Sequence, residues 1–305
     1  METQKKFEEI FRESVTRKDE FKLRPAENPL VSIGMPVYNS SETLIPAIKS
    51  ILAQSYKNFE LIISDNASSD DTAEICRYFA SIDNRIKFHQ HSCNFGGTFN
   101  FNYVLSISNG HFFMWAAGDD VRTSTFLEEN VIALLRDKNL VASTSPNRME
   151  NDNRIVNFGL YGNYFNRLSY FLQNSYKSHA LFYSVMRIDV IRQCHWLSEE
   201  FIAWDWAVIL FLASNGEINR TQDALSIFGA NGVSNSKEIN SLYGLNKFTR
   251  HFPYWKFSKK SIKIVKPSWS FLYLIFFVTL FKLNFRVFLE QSRHTLKLSI
   301  KNWIR

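Results

Sequence analysis

The chain reads as an α/β fold built on a mostly parallel sheet, and three observations predict it. Short apolar stretches alternate with helix-patterned ones from Val31 to Ser145, the rhythm of βαβ units. Each apolar stretch closes on turn or capping residues, as at Asn39-Ser40-Ser41 and Asn66-Ala67-Ser68-Ser69. Composition supplies a core: of 305 residues 45% are hydrophobic and 28 are Phe, against only 11 Gly and 7 Pro.

In order, Phe7, Ile10, Phe11 and Val15 stand at helical spacing among charges, so residues 1–28 predict an amphipathic N-terminal extension. Val31 to Tyr38 is a first strand, and Thr43 to Gln54 is helical through Leu44, Ile45, Ile48, Ile51 and Leu52. Asn58 to Asp65 is a second strand, followed by a helix to about Phe79. Ile86 to His91 is a third strand, and Gly96-Gly97 opens a helix to about Ser108. His111 to Asp120 begins as a buried strand and ends in Gly118-Asp119-Asp120. A helix over 125–138 and a strand from Leu140 to Ser145 follow. Asn147 to Lys177, rich in Asn, Tyr and Phe without clear period, suits an acceptor-facing loop region whose aromatic rings meet sugar; the equal alternative is that those rings belong to the core. Leu181 to Val185 resembles a strand, and Ile188 to Cys194 a helical turn.

Charge is unevenly spread. Residues 236–305 hold 14 Lys and Arg against Glu238 and Glu290, which leaves the first 235 residues at −5 within an overall +7. An acidic α/β domain argues against a nucleic-acid partner. The apolar run Trp269 to Phe281 lies between basic residues, and as a helix it would measure about 20 Å, short of the ~30 Å hydrocarbon core. Together with Phe285, Phe288, Leu289, Leu296, Ile300 and Trp303 it fits helices lying on an anionic membrane surface; the other reading is a core helix with a solvated basic face. Cys76, Cys93 and Cys194 have no metal-ligand spacing and fit reduced thiols. Met1 to Arg24 has no apolar signal-peptide core, so the expected location is cytoplasmic, peripheral at the inner face of the cell membrane.

Ligands of open parallel sheets bind beyond the carboxyl ends of the strands. Tyr38, Asp65, Asn94 and Asp119-Asp120 all fall on that edge. Two adjacent carboxylates at a strand tip need a compensating partner, and Mg²⁺ or Mn²⁺ bridging to a diphosphate supplies one. Asp120 could instead cap a helix starting near Thr123, but the convergence favours the metal. Neither a G-x-G-x-x-G nor a Walker A sequence follows the first strand, so the phosphates would rest on that metal. The base would lie between the ring of Tyr38 and the carboxylate of Asp65, an acceptor that suits the imide N–H of uracil, while a related contact could serve thymine or guanine.

Val31-Ser-Ile-Gly-Met-Pro-Val-Tyr-Asn39, Ser64-Asp-Asn-Ala-Ser-Ser-Asp-Asp-Thr72 and Trp115-Ala-Ala-Gly-Asp-Asp120 resemble family 2 glycosyltransferases of the GT-A fold, over roughly residues 29–235. The resemblance implies a Rossmann-like sheet flanked by helices, with 29–235 as the nucleotide-sugar and catalytic domain and 236–305 as a basic, apolar helical tail. It implies that Pro36 and Tyr38 border the nucleotide, that Asp65 contacts the base, and that Asp120 is the direct metal ligand beside Asp119. Asn66 and Ala67 replace the second and third residues of the family's Asp-Asp-Gly-Ser block, an exchange expected to alter the turn more than the chemistry.

Asp205 lies between Trp204 and Trp206 at the start of an apolar helix, where desolvation moves a carboxylate toward the pKa of a general base. Stabilisation of the helix dipole is the other reading. The resemblance places the catalytic base at this position, with Trp204 in place of a preceding acid. Leu225 to Ser236 lacks the Arg and His that related enzymes direct at the diphosphate, leaving Asn231 and Ser234 as uncharged substitutes. The Q-x-x-R-W signature of processive synthases is also absent, which favours transfer of single sugars.

The expectation is therefore an inverting, metal-dependent transferase moving a sugar from a UDP-sugar to a glycan or lipid-linked acceptor in surface-polysaccharide synthesis. The alternatives are a nucleotidyltransferase and a catalytically silent membrane-associated scaffold.

Overall fold

Val31–Val37 (β1) is buried along almost its whole length, as a central strand of a sheet covered on both faces must be. The computed structural model describes residues 28–199, 201–229 and 254–264, together with 277, 278, 280–282 and 285. The amphipathic stretch expected over 7–15, Asn231 and Ser234, and most of the tail beyond 264 lie outside the described residues.

Leu44–Leu52 (α1) follows β1 and turns Leu44, Ala47, Ile48 and Ile51 inward, one face of a 3.6-residue helix. Phe59–Asp65 (β2), Thr72–Ile82 (α2), Ile86–Gln90 (β3), Gly97–Ser106 (α3) and Phe112–Trp115 (β4) continue the alternation. Beyond β4 come the two-residue strand Val121–Arg122 (β5), then Phe126–Arg136 (α4), Leu140–Thr144 (β6) and Asn147–Met149 (β7). Asp120 therefore leads into a strand and caps no helix.

Two expectations fail in the next stretch. Tyr164–Asn174 (α5) is a helix where an unpatterned loop was expected. It buries Leu168, Phe171 and Leu172, and the Asn163 side chain caps it by accepting from the Asn166 backbone N–H at 2.9 Å. Its Asn166 and Tyr170 are exposed and dilute the period. Leu181 to Val185 is not one strand: His179–Phe182 (α6) is a short helical turn and Val185–Arg187 (β8) is the strand. The hydroxyls of Ser178 and Ser184 donate back to the carbonyls of Ser175 and Leu181, which closes turns where an extended chain was expected.

Ile188–Ile191 (α7) is the expected helical turn, and Trp204–Asn215 (α8), Glu217–Arg220 (β9), Ser226–Phe228 (β10) and Trp255–Ile264 (α9) follow. The large sheet has seven strands in the order β3-β2-β1-β4-β8-β6-β9, and β5-β10-β7 form a small one. Within the large sheet β8 alone runs antiparallel, to both β4 and β6. One apolar layer packs α1, α2 and α4 on the sheet through Ile48, Cys76 and Val131; the other packs α3, α5 and α8 through Val104, Phe171 and Ile209.

Register brings the strand ends level. Val37 pairs with Asp65, and Asp65 with Gln90. Pairing of β1 with β4 stops at Gly34–Trp115, so Pro36, which lacks an N–H, stands past the point where that side needs a donor. No helix among the described residues is long and apolar enough to cross a membrane.

Candidate active site

The loops leaving β1, β2 and β4 meet at one edge. Asn39 and Ala67 both adopt left-handed backbone, φ 48° and 60°, to make their turns. The turns are laced together: the Asn39 N–H donates to Ser68 Oγ at 2.8 Å, and the Ser69 N–H donates to Asn39 Oδ1 at 2.9 Å. The Ser41 N–H donates to Asp70 at 3.1 Å. Slight burial opposes the shift, but hydrogen bonds from Thr72 and Ser41 hold the Asp70 carboxyl down at about 2.

Tyr38 projects from this edge with its side chain about half exposed, as a stacking platform would. Asp65 is fully buried: Oδ1 accepts from the Ser68 N–H at 3.1 Å and from the Ser68 hydroxyl, while Oδ2 has no hydrogen-bond partner. A buried carboxylate oxygen without a donor is an acceptor awaiting one. Asn94 is exposed, and its Oδ1 already accepts from Asn66 Nδ2 and the Gly96 N–H, both at 2.8 Å. Asn66, absent from the predicted site, fixes this loop by accepting from the Phe95 N–H at 3.0 Å and donating to the Gly96 carbonyl at 3.1 Å.

The acidic loop packs beside these turns, and a Cβ added to Gly118 would touch Val37 and Ser40 at 3.4 Å. Asp119 is partly buried, and burial raises its carboxyl pKa. Asp120 is 3% exposed; burial pushes its carboxyl up to about 6 against the pull of Arg122. Its Oδ1 accepts from the Gly229 N–H at 3.3 Å, and its Oδ2 lies 3.6 Å from Arg122 Nη2 with no hydrogen bond. Gly229 closes over the pair so tightly that a Cβ there would meet Asp119 Oδ2 at 2.4 Å.

Asp205 stands in the first turn of α8, after Ala203 with φ 64°. Burial lifts its carboxyl to about 6, partly offset by backbone N–H groups of that turn. Tyr183 links it to the acidic loop: Asp120, Asp205 and Asp119 all act on its hydroxyl and, with burial, push its pKa well above 10.0. Phe182 stacks on Trp115 with centroids 4.7 Å apart and meets Trp204 at 5.4 Å, joining the tip of β4 to the start of α8. Asp119 and Asp120 thus share one guanidinium, an arrangement that calls for further positive charge. Among the described residues, no three His, Cys, Asp or Glu side chains are grouped to hold a metal ion, so a cation here would draw its remaining ligands from phosphate and water.

Residues 32–193, more than half of the chain, match the model of glycosyl transferase family 2. The chain belongs to glycosyl transferase family 2. Glycosyltransferase GlyG of Streptococcus pneumoniae serotype 4 is 34% identical over 107 residues, 35% of this chain and 34% of that protein. The Escherichia coli UDP-Glc:alpha-D-GlcNAc-diphosphoundecaprenol beta-1,3-glucosyltransferase WfgD is 35% identical over 107 residues, 35% of this chain and 42% of that protein. The match thus spans between a third and somewhat over two fifths of these family 2 relatives. The mannosyltransferase PcManGT of Pyrobaculum calidifontis, solved with GDP-Man and Mn²⁺, superposes with a TM-score of 0.59 at 13% identity, over 95% of this chain and 80% of that one. The architecture is GT-A.

Arg122 and Tyr183 escaped sequence reasoning; Asn66 was read only as a change of turn, and Gly229 only as part of a stretch without Arg or His. Treating Val121-Arg122 as a helix approach hid β5, whose antiparallel pairing with Ser226-Ile227 carries Gly229 onto the acidic loop.

Proposed function

We propose that this family 2 member is an inverting, metal-dependent glycosyltransferase that moves one sugar from a UDP-sugar to a hydroxyl of a lipid-linked or glycan acceptor in surface-polysaccharide synthesis. The observation that carries the proposal is the packing of Trp115, Phe182 and Trp204, which ties the end of β4 before Asp119 and Asp120 to the start of α8 before Asp205.

In this reading uracil stacks on Tyr38, with Pro36 shaping the pocket floor. Asp65 Oδ2 accepts the base N–H, and Asn94 Nδ2 donates to the nucleoside. Asp120, with Asp119, would hold Mg²⁺ or Mn²⁺, which when bound neutralises charge on the departing diphosphate. The orphaned, buried Asp120 Oδ2 fits that role. Asp205 takes the proton of the acceptor hydroxyl as its oxygen attacks the anomeric carbon from the face opposite the leaving group. The C1–O bond to the nucleoside diphosphate breaks as the new glycosidic bond forms, and the configuration inverts.

The printed name of WfgD, with its UDP-Glc donor and diphosphoundecaprenol acceptor, supports the donor and acceptor classes. The tail adds support for contact at the inner membrane face. Phe277, Val278, Phe281 and Phe285 are exposed, while Leu280 is 2% exposed and packs into the core. An apolar face displayed beside Lys282 and the lysines of α9 suits an anionic lipid surface.

The test is incubation of the full chain with a panel of nucleotide sugars, Mn²⁺ and a polyprenyl-diphosphate-linked sugar. Release of nucleoside diphosphate with a lengthened acceptor is expected. Release of pyrophosphate would indicate nucleotidyl transfer, and no turnover with any donor would indicate a silent scaffold.

A further inference from the structure

Arg122 is the least satisfied polar side chain described. Its side chain is 2% exposed, yet Nε, Nη1 and Nη2 all lack hydrogen-bond partners. A guanidinium carries five N–H donors, and burying them unpaired is costly. What offsets that cost is the ring of Phe126, 5.4 Å from its Cζ, and the carboxylate of Asp120, close enough for attraction but not bonded. Its positive charge acts on Asp119, Asp120 and the Tyr183 hydroxyl alike. The β5–β10 pairing fixes its backbone opposite Ser226, three residues before the Gly229 that caps the acidic pair.

We propose that Arg122 is the resident counter-cation of the acidic pair: it weakens metal binding to the nucleotide-free site, and transfers its N–H groups to the donor diphosphate when metal and nucleotide arrive together. This rests on the glycosyltransferase reading above. The physics is an exchange of partners. A divalent ion placed on Asp120 is repelled by a guanidinium 3.6 Å from the same carboxylate. A diphosphate beside that ion offers the paired oxygens that a planar guanidinium binds best. Arg122 would also supply the positive charge that Leu225 to Ser236 lacks.

The test compares the full-length chain with Arg122→Gln. Mn²⁺ binding without nucleotide is followed by electron paramagnetic resonance, and UDP and uridine binding with Mn²⁺ by calorimetry. Arg122→Gln should bind Mn²⁺ alone about tenfold more tightly and UDP with Mn²⁺ about tenfold more weakly, with uridine unchanged. Effects of opposite sign are not what a merely structural arginine gives. Weakening of both, or no change in either, overturns the proposal, as does tighter Mn²⁺ binding with unchanged UDP.

If Arg122→Gln fails to fold, Arg122→Lys replaces it. Keeping the charge but losing the fork, it should bind Mn²⁺ alone as the wild type does and UDP several-fold more weakly. Equal UDP affinity overturns the proposal. A wild-type chain that binds no nucleoside diphosphate at any metal concentration overturns the glycosyltransferase reading and this inference together, whereas wild-type binding with an indifferent variant removes only the inference.

Discussion

Trp115 and Trp204 meet edge to face with ring centroids 6.2 Å apart. The first closes β4 just before the acidic loop, and the second opens α8 just before Asp205. Phe182 packs on both rings, so one aromatic cluster joins the acidic loop to the helix turn that carries Asp205. Phe182→Leu should cost about 1–2 kcal/mol of stability, from lost ring packing. The loss of kcat should exceed tenfold, because misplacing the base costs more than loosening the core. Urea denaturation and steady-state kinetics on the same variant check both; a rate loss no larger than the stability loss implies would count against the coupling.

Asp205→Asn should lower transfer by about 10²–10⁴-fold while UDP affinity stays at the wild-type level. The wild-type rate should rise with pH through about 6 and then level, since the base works deprotonated. Stability should move the other way. A carboxyl raised from 3.8 to about 6 on folding favours the protonated form. Its cost is absent below 3.8, grows between the two values and is complete above about 6. Asp205→Asn should therefore stabilise the chain at pH 8, by up to roughly 3 kcal/mol, and hardly at pH 4. Chemical denaturation at the two pH values measures the difference.

Chelation by EDTA, or the substitution Asp120→Ala, should abolish metal-dependent UDP binding and leave uridine binding nearly intact. Calorimetric titration with and without Mn²⁺ reads this directly. UDP binding that is indifferent to both treatments would remove Asp120 as metal ligand.

Ala67→Gly should stabilise the chain by about 1 kcal/mol, because a side chain at φ 60° is strained and glycine is not. Turnover should stay within about twofold, since Ser68 keeps its hydrogen bonds to Asp65. Thermal melts and initial rates are sufficient. Destabilisation would mean that the Ala67 methyl packs usefully, outweighing the strain.

The half of the fold from β1 to β4 was legible in the sequence because its signals are local. Each strand from Val31 to Trp115 is a short apolar run closed by turn residues, and the ligand-facing edge follows from parallel topology alone. Tyr38, Asp65, Asn94 and the acidic pair could be placed without coordinates. Arg122 and Tyr183 could not, because their meaning comes from partners outside their own segments: Asp120 and Phe126 for one, the three carboxylates for the other. The helix from Tyr164 was hidden because only Leu168, Phe171 and Leu172 mark its inner face. The short strand from Val185 was misjudged because the serine turns before it, not periodicity, set where it begins.

That strand also constrains how the chain can be made. Val185–Arg187 fills the gap between Phe112–Trp115 and Leu140–Thr144, yet it is synthesised after both. Until it emerges from the ribosome, Phe112–Trp115 keeps one naked edge and Leu140–Thr144, whose other partner Glu217–Arg220 comes later still, keeps both, the kind of surface that invites pairing with a stranger. Arrested nascent chains ending before Val185 should accordingly be digested readily by protease and bound by chaperones, and chains extending well past Arg187 should resist.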